Sequence, residues 1–446
     1  MGDAVPPPGP SVWIVNQYAD APDRPNGTRH FDLGRQLVAR GHRVTIFAAG
    51  FSNVTHCEQR LRGRELYRSA CCDGVRFVWL RTIPYGGNTW RRPLNMVSFT
   101  AAFLVVQSRI PCPDTIIGST VHPFAAAGAW LAARLRGARF IFEVRDLWPQ
   151  TLVDLGALRD GSPGERLLRF LESFLVRRAS VVIALLPGMR TYLRERGLPD
   201  DTLVFIPNGV DLEVFDAAAD ASCDEPEALQ PALGVISRMH AEGRFVLGYV
   251  GSFGRVNRAG LVVQAAERAE ERAPGRLAVV LVGDGPERVL LERAVADSQC
   301  VAVSPPVPKR LVPRLLRAFD AGIVHVTDNP VYRYGISFNK LFEYMASSLP
   351  IVFACRSAYD PVAAAHAGLS TRPDDATGLA DAMLEMAGTH PDERARMGAA
   401  GRGWVEARHD ITRLGQTLDA ALRSPATLGG ADRLDGMSDG RGGEAP

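Results

Sequence analysis

Short apolar runs of strand length alternate with longer stretches of helical periodicity along nearly the whole chain, and this alternation restricts its fold more than any other feature. The runs fall at residues 12–15, 44–47, 75–80, 115–117, 140–144 and 181–185, and again at 203–206, 245–250, 278–282, 301–303, 322–326 and 351–354. Uninterrupted apolar strands are buried on both faces, which calls for parallel sheets covered by helices. Helices are predicted between them, among others over 29–40, closed by Gly41, over 261–271 and over 339–347. A chain of 446 residues exceeds one ordinary core. We therefore expect an α/β protein of two Rossmann-like domains facing across a cleft, with ligands at the carboxyl ends of the strands.

The joint between domains is expected between Pro187 and Phe205, giving a disordered N-terminus over 1–10, a first domain over 11–195 and a second over 196–400. Residues 217–242, rich in Ala, Asp, Glu and Pro, read as a mobile insertion. Residues 402–422 space Trp404, Val405, Ile411, Leu414, Leu418 and Leu422 at helical intervals, so 401–425 is expected to be a helix returning to the first domain. The remainder, 426–446, cannot form a core.

Charge and cysteine content exclude several function classes. A net charge of +2 gives no nucleic-acid footprint. The seven cysteines are scattered without CxxC spacing, so neither a disulfide framework nor a zinc site is expected, and a reducing cytoplasm suits them. The first residues have neither a basic start nor an apolar stretch, and no run of about 18 apolar residues occurs, so neither a signal peptide nor a spanning helix is expected. Of 51 basic residues only Lys309 and Lys340 are lysine. Against that arginine background, a lysine invites a functional question.

Four stretches can carry chemistry. Asn26-Gly27-Thr28 turns from the first strand into the first helix, where free N–H groups can meet an anion or a sugar oxygen. Gly251-Ser252-Phe253-Gly254 follows the strand 245–250 and can cradle a phosphate, with Arg255 and Arg258 to neutralise it. In Gly335-Ile336-Ser337-Phe338-Asn339-Lys340, Ser337 and Asn339 suit a helix start, and Lys340 would meet a diphosphate there. Glu143, Arg145 and Asp146 close the strand 140–144, where a polar cluster needs a polar partner. Gly283-Asp284-Gly285 starts like a dinucleotide fingerprint but lacks the third glycine, and no GxxxxGK[ST] loop exists. Each stretch also has a bland reading: turn geometry for the glycines, solvated faces for the charges.

The segments Ile206-Pro207-Asn208-Gly209-Val210-Asp211, Val282-Gly283-Asp284-Gly285-Pro286-Glu287 and Phe342-Glu343-Tyr344-Met345-Ala346 together resemble the retaining GT-B glycosyltransferases of family 4, over roughly residues 13–421. Glu143-Val144-Arg145-Asp146-Leu147-Trp148-Pro149, with the stretch ending at Lys340, is similar to the branch that moves N-acetylated amino sugars in bacterial O-antigen and capsule assembly. The resemblance implies a nucleotide diphosphate sugar, UDP-linked, as donor; no ligand cluster such as Asp-x-Asp is placed for a metal, so no obligate metal or cofactor is expected. Gly251, Ser252, Gly254, Arg255, Arg258, Gly283, Gly285, Ser337, Asn339, Lys340 and Glu343 would bind the donor, with Lys340, Arg255 and Arg258 on the diphosphate and Glu343 on the ribose. Asn26, Gly27 and Thr28 would face the acceptor. Glu143, Arg145 and Asp146, with Lys340, are the candidates for catalytic contacts.

The chain departs from the family in four places. Gly335 stands where the first of two glutamates eight residues apart is usual, Ser252 where an arginine is usual, Arg258 could stand in for the usual lysine, and Arg145 stands where many members have histidine. Retention would follow from attack on the face the diphosphate leaves. The acceptor is expected to be a glycan, a lipid-linked glycan or a small molecule. Trp90-Arg91-Arg92-Pro93, leading into the apolar stretch 94–106, can meet an anionic membrane from the cytoplasmic side or serve as a core helix. An epimerase or hydrolase of the same fold, and a binding subunit without turnover, are the alternatives. Acceptor-dependent release of nucleotide separates them.

Overall fold

The computed structural model of the protein describes residues 9–23, 28–53, 55–87, 90–220 and 226–424. Among them, the first half holds strands β1 Ser11–Val15, β2 Arg43–Ala49, β3 Tyr67–Cys72, β4 Val75–Leu80, β5 Thr115–Ser119, β6 Arg139–Val144, β7 Val181–Ala184 and β8 Leu203–Phe205. They form one sheet in the order β3-β4-β2-β1-β5-β6-β7-β8, parallel except for the β3–β4 hairpin. The second half holds β9 Phe245–Ser252, β10 Leu277–Asp284, β11 Val301–Ser304, β12 Ala321–His325, β13 Ile351–Ala354 and β14 Gly368–Thr371, all parallel, in the order β11-β10-β9-β12-β13-β14. Strand order reverses beside β1 and beside β9. Each reversal opens a crevice at the carboxyl end of the strands, which places the ligand sites of doubly wound sheets.

Each sheet buries apolar side chains on both faces, as the unbroken strand patterns require. In β6, Phe142 and Val144 enter a core with Trp13, Phe99 and Phe103, while Ile141 faces the opposite core with Ile14, Ile117 and Ile183. Side chains alternate along a strand, so Glu143 shares the face of Ile141. The second sheet is sandwiched likewise.

Four expectations are corrected. Residues 203–205 were expected in the second domain, yet they are the edge strand of the first sheet, paired with β7. The chain crosses after them, so the joint lies later than residue 205. Strands β3 and β14 were not anticipated; only partly buried, they carry no continuous apolar run. The mobile insertion is instead largely helical: Leu212–Asp220 and Gln230–Ala241 are helices, and Leu229, Ala232, Ile236 and Met239 enter the core. Finally, the returning segment is two helices, Pro391–Arg408 and Ile411–Arg423. The second packs Ile411, Leu414 and Leu418 into the first sheet's core beside helix Arg29–Ala39. Gly415 permits that approach, since a Cβ there would stand 2.5 Å from Cβ of Gln36. Among the described residues, no helix is long and apolar enough to cross a membrane. The segment 426–446, Asn26 and Gly27 lie outside the described residues.

Candidate functional site

β9 ends on Gly251 and Ser252 at the second sheet's reversal, and helix Asn339–Ala346 begins opposite. Its N-cap is Phe338, which supplies no side-chain cap; Leu341 N donates back to Phe338 O at 3.1 Å, and the N–H groups of Asn339 and Lys340 keep their capacity for an acceptor. Lys340 lies in that turn. Its stem passes Gly251, where an added Cβ would stand 3.7 Å from Lys340 Cδ. Its Nζ donates to Asn257 Oδ1 at 2.7 Å and lies 3.3 Å from Tyr249 Oη, 4.6 Å from the ring centroid. No carboxylate pairs with it among the described residues. Burial without a counter-ion lowers its pKa to about 7. Such an ammonium lacks an anion, and an incoming phosphate would supply one.

Glu343, one turn further on, pairs with Lys309, so both lysines of the chain converge on this helix. Asn339 is exposed. The arginines divide. Arg255 is exposed, with no ion pair among the described residues, whereas Arg258 holds a left-handed backbone (φ 44°) and pairs with Asp374 at 2.7 Å. Arg258 can serve a diphosphate only by leaving that carboxylate. Gly283 and Gly285 serve packing: a Cβ on Gly283 would stand 1.9 Å from Gly251 O, and one on Gly285 would stand 2.6 Å from Phe253 O. A Cβ on Gly254 would meet Ser252 Oγ at 3.6 Å, an ordinary van der Waals contact.

Two residues at this site went unnoticed in the sequence. Asn257 receives Lys340 and donates Nδ2 to Ser252 O at 3.0 Å, fixing the loop after β9. His325, fully buried at the end of β12, has Nδ1 2.9 Å from Asn257 O and Nε2 3.3 Å from the Asp374 N–H. Nδ1 must carry the proton and Nε2 accept, which fixes a neutral tautomer. Burial lowers its pKa in the same sense. A polar residue ending an otherwise apolar strand was the available signal.

The missing glutamate has a steric cause. Gly335 sits at φ 103°, and a Cβ there would stand 2.8 Å from Pro187 Cδ, in the first half. Ser337, expected to cap the helix, is engaged elsewhere: its Oγ accepts from Asn208 N at 2.9 Å and its carbonyl from Asn208 Nδ2 at 2.7 Å.

In the first half the expectation for Glu143 fails. It is 2% exposed, and its carboxylate accepts from Arg29 Nε and Nη2 at 3.1 and 3.0 Å, from His30 Nε2 at 2.7 Å and from Ser119 Oγ at 2.5 Å. Pointing with Ile141 into the interior, it has no capacity left for a substrate. Burial alone would raise its pKa; His30 and Arg29 outweigh burial and hold it well below the usual carboxylate range. Burial keeps His30 itself neutral, so His30 acts by its hydrogen bond and Arg29 supplies the charge. Thr28 donates to Asp32 Oδ2 at 2.6 Å, and its side chain caps nothing. Arg145 and Asp146 remain at the strand end. Arg145 is half-buried and Asp146 exposed. Beside them His122, Gln17 and Asn95 form a buried chain, with His122 Nε2 2.7 Å from Gln17 Oε1. Burial and Arg92 lower the pKa of His122 to about 3, so it is neutral.

Two doubly wound halves with an anion-seeking helix start at the cleft define a class of nucleotide-dependent α/β proteins. Family models agree: residues 27–209 match the glycosyl transferase 4-like domain, and residues 244–388 match glycosyl transferases group 1. The chain belongs to the family 4 glycosyltransferases of GT-B fold. It is 26% identical over 265 residues to the putative colanic acid biosynthesis glycosyl transferase WcaI of Escherichia coli (strain K12). That match takes in 58% of this chain and 61% of the relative, under two thirds of its length. Among solved structures, sucrose-phosphate synthase of Thermosynechococcus elongatus superposes with a TM-score of 0.69 at 16% identity, over 93% of this chain and 98% of that one. HepE of Anabaena in complex with UDP-glucose superposes with a TM-score of 0.61 at 14% identity, over 93% and 99%.

Proposed function

We propose that the protein transfers a sugar from a nucleoside diphosphate sugar, UDP-linked, to a hydroxyl acceptor in glycan assembly. The carrying observation is Lys340: an ammonium at an uncapped helix start, opposite Gly251, with only neutral partners. The diphosphate would take Lys340 and the first-turn N–H groups as its counter-charge, with Arg255 reaching from the loop. Glu343 would accept hydrogen bonds from the ribose. The UDP-glucose bound by HepE and the colanic acid role in the name of WcaI support this reading of donor and product class.

The bond from the sugar's anomeric carbon to the diphosphate oxygen breaks as the acceptor oxygen bonds to that carbon. The acceptor's proton passes to the departing phosphate oxygen, which lies on the same face, so configuration is retained. Negative charge grows on the leaving group, and the preorganised cation and helix dipole stabilise it there. An N-acetylated amino sugar is the proposed cargo. The remaining first-half candidates, Arg145 and Asp146, line the acceptor side.

A thermal-shift panel of UDP, GDP and ADP sugars tests the donor, since a ligand of the folded state raises its stability. A shift specific to one base, followed by acceptor-dependent release of that nucleotide, is expected. No shift with any nucleotide would overturn the proposal.

A further inference from the structure

Residues 206–210 carry the chain from β8 to the second half and are held on three sides. Arg29 donates to the carbonyl of Ile206 at 2.7 Å and to that of Pro207. On the second side, Val210 N donates to His409 O at 2.8 Å, and His409 Nδ1 lies 2.8 Å from Asn208 O. Gly209 is needed there, because a Cβ would stand 2.5 Å from His409 O. The third side is Asn208, whose backbone N–H and Nδ2 take both polar groups of Ser337.

Ser337 stands two residues ahead of Asn339, where the helix bearing Lys340 and Glu343 begins. That helix start has no side-chain cap to fix it. Its buried face is gripped by the same junction, since the His409 ring stacks on Phe342 with centroids 3.7 Å apart. An asparagine is the shortest side chain with a donor that reaches the Ser337 carbonyl; aspartate offers no donor and alanine nothing.

We infer that Asn208 is a positioning residue: by holding the hydroxyl and carbonyl of Ser337 it sets where Lys340 stands relative to Gly251. The inference rests on the reading of Lys340 as the diphosphate's cation. Because Arg29 clamps the neighbouring carbonyls, the donor helix is referenced to the first half as well as to its own sheet.

The test uses the full chain with Asn208→Asp, Asn208→Ala and Ser337→Ala, each alone and combined with Lys340→Ala. Transfer kinetics, UDP affinity by calorimetry and thermal midpoints are measured. The Asn208 variants should lower kcat about 10-fold or more, as misplacement of a catalytic group does. In the Lys340→Ala background the same changes should cost less than about 3-fold, because residues acting as a unit are not additive. Ser337→Ala should repeat the pattern more weakly. Unchanged kcat, or losses fully additive with Lys340→Ala, would overturn the inference. Should Asn208→Asp and Asn208→Ala fail to fold, Asn208→Ser decides: its hydroxyl falls short of the Ser337 carbonyl, and full kcat there removes Asn208 from the mechanism. Failure of the underlying reading looks different: Lys340→Ala alone would then turn over near normally, or the unsubstituted protein would neither bind UDP nor release it.

Discussion

Lys340 and Glu343 lie one turn apart on one helix but should answer differently to substitution. The charge facing Lys340 grows as the diphosphate departs, so Lys340→Ala should lower kcat about 100-fold or more and weaken donor binding less. The ribose facing Glu343 gains no charge, so Glu343→Gln should chiefly raise the donor KM. Its partner Lys309 is half exposed, and such pairs contribute about 0–1 kcal/mol, so the thermal midpoint should barely move. Steady-state kinetics of both variants checks the split; near-normal turnover in Lys340→Ala would leave Arg255 as the cation. Protonation gives a second, independent expectation. With a pKa lowered to about 7, Lys340 is only partly charged near neutrality in the free protein, and a bound diphosphate favours the charged form. Donor binding should therefore take up a proton, and affinity should weaken as pH rises through about 7 and above. Calorimetry with UDP-glucose in buffers of different ionisation enthalpy measures that uptake, and none at about pH 7.5 would refute it. Lys340 was legible in the sequence because lysine is so scarce there. Glu143 misled because a polar residue at a strand end can point to the cleft or to the interior, and that depends on which face the neighbouring Ile141 buries. Asn257 and His325 each stand alone in the sequence, and only folding brings them together.

At the scale of elements, β6, helix Arg29–Ala39 and the crossing segment are joined by one buried ion pair. Glu143→Ala would strand the Arg29 guanidinium, which is 6% exposed as a residue, and should destabilise the protein by about 3–5 kcal/mol. Acid should act in the same place. A carboxylate whose folded pKa is depressed stabilises fully above its ordinary value of 4.5 and loses that contribution as pH falls toward its folded pKa. His30, buried neutral, adds to the loss, because the unfolded chain takes up its proton below about 6.5. Stability measured by denaturant titration should fall steadily below about pH 5, and Glu143→Gln should flatten that dependence. An unchanged acid limb in Glu143→Gln would exclude this cluster as its origin. Strands such as β1 and β10 were legible because burial on both faces writes an unbroken apolar run. β8, three residues long and half buried, carries no such mark of which sheet it joins. Helix Gln230–Ala241 shows the converse: Leu229, Ala232, Ile236 and Met239 keep helical spacing inside a composition that reads as loop.

Across the whole molecule, helix Arg91–Val106 divides its residues between core and surface. Met96, Phe99, Phe103 and Val106 enter the first core, while Trp90, Leu94, Val97 and Val105 stay outside, Trp90 at 73% exposure. The adjoining helix Pro123–Arg136 adds exposed Leu135 and Arg134, and Arg91 lies beside Trp90. Apolar side chains among arginines suit the headgroup boundary of an anionic bilayer, where each basic residue contributes about 1 kcal/mol. The acceptor half would then face the membrane that carries a lipid-linked acceptor, leaving the donor half free to move across the cleft. Sedimentation with anionic vesicles should retain the protein at low ionic strength and release most of it near 1 M salt, where screening acts over about 3 Å. Trp90→Ser with Leu94→Ser should weaken retention several-fold at an unchanged thermal midpoint, since both side chains are largely outside the core. Transfer to a water-soluble acceptor should be untouched in that variant, while transfer to a vesicle-borne acceptor should fall in step with binding. Equal retention by neutral and anionic vesicles would point to apolar contact alone, and no retention on either would remove the membrane from the account.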